Sequence, residues 1–123
     1  MPLTYKKRSE AYEVTPPQIA PNSFLGDVIA SETSKEEQIT GGFYKVIPGE
    51  PLTYTYGYDE LKIVLEVNNG TFTVTDEEGT TVDAKPGDVL YFKKGSTITF
   101  KVEGGEDAYA YNFYAGKKYF GQV

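Results

Sequence analysis

The sequence predicts an all-β domain, a sandwich or barrel of antiparallel strands. Three observations carry that expectation. From about residue 41 onward, turn signals recur at roughly 8–12-residue intervals, the spacing of short strands in sandwiches and barrels. Tyrosine and phenylalanine, which favour strands, number eleven and seven. No window repeats its apolar residues at helical spacing. A chain of 123 residues has the size of one domain, enough to bury roughly two-thirds of its unfolded surface.

Taken in order, residues 1–40 read as an N-terminal arm followed by an edge strand, and residues 41–123 as the barrel. Residues 1–23 are polar and hold four of the seven prolines: Pro2, Pro16, Pro17 and Pro21. Pro16-Pro17 forbids a helix and favours extended chain. Such an arm crosses a sheet edge or reaches a partner subunit. Phe24 to Ile29 is a short apolar strand, and Ser31 to Gln38 a charged surface loop or single helical turn.

In the barrel, Phe43 to Ile47 is a strand closed by the turn dipeptide Pro48-Gly49. A central stretch from Tyr54 to Glu66 ends at Asn68-Asn69-Gly70, whose Asn-Gly is a strong hairpin signal. Thr71 to Thr75 alternates as a half-buried strand should, and Asp76 to Gly79 turns the chain toward a return strand at Thr80 to Ala84. Val89 to Phe92, Ser96 to Val102 and Ala108 to Ala115 complete the set, the last two separated by Gly104-Gly105.

Composition excludes several functions. The net charge of −6 argues against nucleic acid and against an anionic membrane surface. No cysteine means no disulfide, thiolate metal site or thiol nucleophile, and no histidine removes the commonest metal ligand and general base together. Lys6, Lys7 and Arg8 are not followed by an apolar run, so no signal peptide is expected. No run approaches the length of a membrane span, and a soluble cytoplasmic protein is the expectation.

Any chemistry must therefore use carboxylates, lysines, tyrosines or hydroxyls. In a strand, residues two apart share a face at about 6.5–7 Å. Glu60, Lys62 and Val64 thus point one way, and Leu61, Ile63 and Leu65 the other. Charges placed among apolar residues need water or each other. Tyr54, Tyr56 and Tyr58 share the parity of Glu60 unless a bulge at Gly57 resets it, with Tyr58 expected nearest Glu60. Tyr109, Tyr111 and Phe113 alternate with Ala110, Asn112 and Tyr114, and periodicity leaves open which set lines the barrel. Asp88 reads as a turn residue, Asp59 as solvated or paired at the rim, and Asp76, Glu77 and Glu78 as a solvated hairpin tip.

The segment Lys85-Pro86-Gly87-Asp88-Val89, followed by Gly95, resembles the second motif of the cupin superfamily, with Lys93 in place of a proline. Tyr58-Asp59-Glu60 with Val64-Leu65-Glu66 resembles its EutQ-like, ethanolamine-utilisation branch. The resemblance covers about residues 40–116 and implies a single-domain antiparallel jelly-roll β-barrel with an extended N-terminal arm. It implies that Glu60 faces the interior; homodimers are common in this family, and a homodimer in which the N-terminal arm crosses to the partner is expected, with a small-molecule ligand in the barrel. The usual metal site has three histidines and a glutamate. Here Glu60 falls on the glutamate, Thr53/Thr55 or Tyr54/Tyr56 on the paired histidines and Ile98 on the third, so neither a metal nor another cofactor is expected. EutQ proteins have been linked to acetate kinase activity. No Walker-type glycine loop is present here, and that activity is not carried over.

The candidate catalytic residues are Glu60, Lys62 and Tyr58; the candidate ligand-binding residues are Tyr54, Tyr56, Phe100, Tyr111 and Phe113. Glu60 would act as base or acid, with Lys62 as partner, acid or amine nucleophile toward a carbonyl. That suits a metal-independent isomerase, lyase or cyclase acting on a small molecule in the barrel. The alternatives are a non-catalytic binding barrel, and a structural or accessory barrel in which Glu60 and Lys62 form a salt bridge.

Overall fold

The computed structural model describes residues 2–122. All of its strand pairing is antiparallel, and its only helical pieces are two single 3-10 turns, at Arg8–Glu10 and Lys35–Glu37. The strands are β1 (Gln18–Ala20), β2 (Ser23–Ala30), β3 (Thr40–Val46), β4 (Leu52–Thr55), β5 (Glu60–Thr75), β6 (Thr81–Ala84), β7 (Val89–Phe92) and β8 (Thr97–Gly116). None of the helical pieces is long and apolar enough to cross a membrane.

Two long strands, β5 and β8, run the length of the molecule side by side and belong to both layers of the jelly roll. Residues 60–68 of β5 and 109–116 of β8 lie in one layer with β1, β2, β3 and β7. Residues 70–75 of β5 and 99–104 of β8 lie in the other with β4 and β6. Between the layers sit Phe72, Val74, Phe100, Val102, Tyr44, Val46, Val64 and Tyr114, all buried.

Two expected breaks are corrected here. Asn68-Asn69-Gly70 is not a hairpin turn, and Gly104-Gly105 does not separate two strands; both lie inside the continuous β5–β8 ladder. Asn69 takes a positive φ of 49°, which asparagine tolerates, and the register shifts between Asn68 and Gly70. Gly70 pairs with Gly104 at this corner, where a side chain on Gly70 would stand 2.2 Å from the Glu103 carbonyl oxygen. The glycines let two backbones approach where the ladder bends from one layer into the other.

The arm folds back on its own barrel. Tyr12 packs edge-on against Phe43 and Tyr111, at ring separations of 5.7 and 5.1 Å. Its hydroxyl donates to Glu66, as does that of Tyr109 at 2.6 Å, while the Tyr111 hydroxyl donates to the Tyr12 carbonyl at 2.6 Å. The two phenols hold the Glu66 carboxyl below its usual range, and that hydrogen bond pushes Tyr12 up to about 12.

The corner glycine gives a direct test. Gly70→Ala is expected to destabilise the fold by about 1–3 kcal/mol through overpacking. Gly57→Ala, where a side chain meets nothing within 4 Å, serves as the reference. Urea denaturation midpoints that shift equally in the two variants would refute the close-approach account.

Candidate functional site

The site forms where β5 enters the sheet. Glu60 and Lys62, two apart on β5, both point between the layers and are each only 2% exposed. Lys62 Nζ stands 3.1 Å from Glu60 Oε2, and the Tyr56 hydroxyl donates to the same oxygen at 2.6 Å. Both protein contacts fall on Oε2, so Oε1 carries no hydrogen bond among the described residues. Around the Lys62 ammonium stand the rings of Tyr44, Tyr114, Phe100 and Phe92, with centroids at 4.8, 5.2, 5.4 and 6.0 Å. Aromatic faces attract a desolvated cation. Burial pushes the Lys62 amine below its ordinary range, while Glu60 pulls the other way.

Tyr56, not Tyr58, is the tyrosine that reaches Glu60, a correction to the expected order. β4 stops at Thr55 and the chain bends through Gly57 and Tyr58, so Tyr56 lies back across the interior with its ring stacked on Phe92 at 5.1 Å. Burial first, and then the Glu60 charge, hold its phenol far above the ordinary range, so it keeps its proton and donates. The Tyr58 hydroxyl instead accepts from Tyr54 at 3.4 Å, and burial and that bond raise it as well.

These groups line a cavity of about 40 Å³ whose walls are Tyr44, Tyr54, Tyr56, Tyr58 and Phe100. Glu60 and Lys62 also line it, and the half-buried or exposed Ile19, Leu25 and Leu52 form its outer side. The structure therefore brings together Glu60, Lys62, Tyr58, Tyr54, Tyr56 and Phe100. It does not bring Tyr111 or Phe113 there. Lys62 pairs with Tyr114 and Val64 with Asn112, which puts Ala110, Asn112 and Tyr114 on the inner face. Tyr111 stacks on Phe43 under the arm and Phe113 packs against Phe43 on the outer face, a correction that strand parity fixes once the register is known. Asp59 accepts from Lys94 N and the Tyr91 hydroxyl, Asp88 from Lys85 N, and Asp76 from the backbone of its own turn.

A second buried cluster escaped the reading of the sequence. Lys118 Nζ lies 2.9 Å from Asp27 Oδ1, which also accepts from the Tyr114 hydroxyl at 2.6 Å. Lys118 sits over the Tyr114 and Tyr58 rings at 5.0 and 5.6 Å. The Tyr114 ring thus lies close to both lysines, 5.2 Å from Lys62 and 5.0 Å from Lys118. Continuing the parity of Tyr114 and Gly116 past the strand end points to Lys118, the signal that could have found it.

The metal of the usual cupin site does not fit this interior. Among the described residues no three histidine, cysteine, aspartate or glutamate side chains cluster. Ile98, the counterpart of the third histidine, is a buried core residue, and the Lys62 ammonium already sits against the one carboxylate.

Residues 33–106 match the family model of the EutQ-like cupin domain. The chain belongs to the EutQ-like cupins. No curated protein matches it. A Rhizobium leguminosarum bv. viciae protein of unknown function is 25% identical, with a TM-score of 0.69 over 97% of this chain and 100% of that one. The EutQ protein of Clostridium difficile is 22% identical, TM-score 0.58, over 78% of this chain and 68% of that one. The polyketide cyclase RemF of Streptomyces resistomycificus, at 14% identity and TM-score 0.67 over 93% and 78% of the two chains, shares the fold alone.

Breaking a buried ion pair from one side leaves an uncompensated charge. Lys62→Met in this cupin is expected to cost about 3–5 kcal/mol, and Glu60→Gln with Lys62→Met to cost clearly less than Lys62→Met alone. Urea unfolding of the single and double variants measures the coupling; strictly additive losses would mean that the two charges are not one energetic unit.

Proposed function

We propose that this EutQ-like cupin is a metal-independent proton-transfer catalyst for a small carbonyl compound held in the barrel. The observation that supports it is the free oxygen of Glu60. With Tyr56 and Lys62 both on Oε2, Oε1 is the unengaged basic atom of a residue that lines the cavity. In this reading Glu60 takes a proton from the carbon next to the carbonyl. Lys62 and Tyr56 hold Glu60 in position, and the Tyr58 hydroxyl, which accepts from Tyr54, donates its own proton to the carbonyl oxygen as negative charge develops there. Isomerisation, elimination and cyclisation share this step.

A second reading is favoured by the cavity's size. About 40 Å³ is far below the usual pocket for a drug-sized ligand, so a filled accessory barrel accounts for the same direct ion pair. Solvent-deuterium exchange at the α-carbon of propanal, followed by NMR, separates the two. The catalytic reading expects exchange above the buffer rate, falling about 100-fold or more in Glu60→Gln. Wild-type protein that leaves the exchange rate unchanged would refute it in favour of the filled barrel.

We further propose a cytoplasmic homodimer in which a second copy meets the outer face of β5 and β7. There Leu61 pairs with Tyr91 and Ile63 with Val89, all four partly or largely exposed, and among the described residues β7 has β5 as its one neighbour in the sheet. A free antiparallel edge can pair with its own copy about a two-fold axis. Sedimentation velocity is expected to give a dimer for the wild type and a monomer for Val89→Lys; a monomeric wild type refutes the assembly.

A further inference from the structure

We propose, on the basis of the proton-transfer reading above, that Lys62 captures its substrate covalently as an iminium, and that the substrates are short aldehydes or ketones. The cavity beside Lys62 has about 40 Å³. An ordered water needs roughly 10–15 Å³ of such space, so about three or four heavy atoms fit. Ile19, Leu25 and Leu52 on its outer side suit a short alkyl chain, and the polar groups able to meet a carbonyl lie among the tyrosines, Glu60 and Lys62.

The ion pair supplies the proton traffic. Lys62 passes one ammonium proton to Glu60, 3.1 Å away, which leaves a neutral amine and a neutral acid. The amine nitrogen bonds to the carbonyl carbon while the C=O π bond breaks, and the oxygen takes the proton from Glu60. The new N–H₂⁺ returns a proton to Glu60, giving a neutral carbinolamine. Glu60 then protonates the hydroxyl, the C–O bond breaks, and water leaves. Ammonium plus carbonyl has become iminium plus water, with Glu60 again a carboxylate and no oxidant or reductant consumed.

The environment favours both ends of this sequence. Four aromatic rings surround the nitrogen, and they stabilise an iminium as they stabilise the ammonium. Burial, which lowers the basicity of Lys62, makes the neutral amine more accessible than at a surface lysine. An iminium also acidifies the adjacent C–H, the bond whose proton Glu60 takes in the proposed reaction. Lys118 is an internal comparison: it is equally buried and ion-paired, yet it does not line the cavity.

The test is reductive trapping of the intact protein with propanal and cyanoborohydride at neutral pH, the adducts located by peptide mass spectrometry. The expected result is propylation of Lys62 severalfold faster than of exposed Lys93, because burial favours the neutral, nucleophilic amine. Lys118 is expected to stay unmodified, and benzaldehyde to alkylate surface lysines but not Lys62. Lys62 that stays unlabelled in the folded protein while Lys93 reacts, and labels only in urea, would overturn the proposal. Labelling of Lys118 as readily as Lys62 would also overturn it, because burial rather than the cavity would then govern reactivity. Deuterium exchange into propanal without any Lys62 adduct removes the covalent step and leaves proton transfer standing; loss of both removes both.

Discussion

The arrangement depends on a buried ion pair set into a strand whose polarity is inverted. At the start of β5 the charged residues, Glu60 and Lys62, face the interior, while Leu61 and Ile63 face outward. A slip of one residue would exchange the two sets and satisfy simple hydrophobic burial better. What holds the observed register is the rest of the ladder: Val64, Phe72 and Val74 on the same strand are deeply buried, and the pairing with β8 runs on both sides of two bulges. The cost of desolvating two charges is offset by their mutual contact, the Tyr56 hydroxyl and the ring faces around Lys62.

The second pair extends the same logic. Tyr114 has both Lys62 and Lys118 near its ring, and its hydroxyl donates to Asp27. Two carboxylates and two ammoniums therefore share one interior, each cation with a carboxylate in direct contact. The proximity of Lys118 disfavours the charged form of Lys62, so this second cluster bears on the chemistry of the first although it stands outside the cavity. The C-terminal residues close that end of the barrel: Thr40 donates to the Lys118 carbonyl at 2.7 Å, and Gly121 N donates to Asp27 at 2.8 Å.

Much of this was legible in the sequence because strand parity is a short-range property. Alternation alone placed Glu60 with Lys62 on one face of β5. What was not legible depends on where parity breaks. Asn-Gly at 69–70 is a hairpin signal locally, but here the φ > 0 of Asn69 serves a bulge at a sheet corner. The order of Tyr56 and Tyr58 around Glu60 turns on the bend between β4 and β5, whose geometry no periodicity encodes. The inner face of β8 is set by its long-range register with β3 and β5, so Tyr111 and Phe113 could not be assigned from their own segment. Lys118 and Asp27 lie 91 residues apart (118 − 27) and meet only through tertiary packing.

A tethered ammonium at the centre of a cupin barrel differs chemically from the metal ion that the fold commonly holds. Both place positive charge beside the glutamate, and both need aromatic or polar walls to be tolerated away from water. A lysine, however, has no open coordination positions with which to gather oxygen ligands from a substrate. What it has is protons to give and, once one is given, a lone pair on nitrogen. In the proposed reaction, the carboxylate 3.1 Å away receives that proton and the nitrogen forms the carbon–nitrogen bond, without Lewis-acid activation. The small cavity sharpens the distinction, because a substrate of a few heavy atoms offers little binding surface, and a covalent bond to Lys62 would supply the hold that contact area cannot.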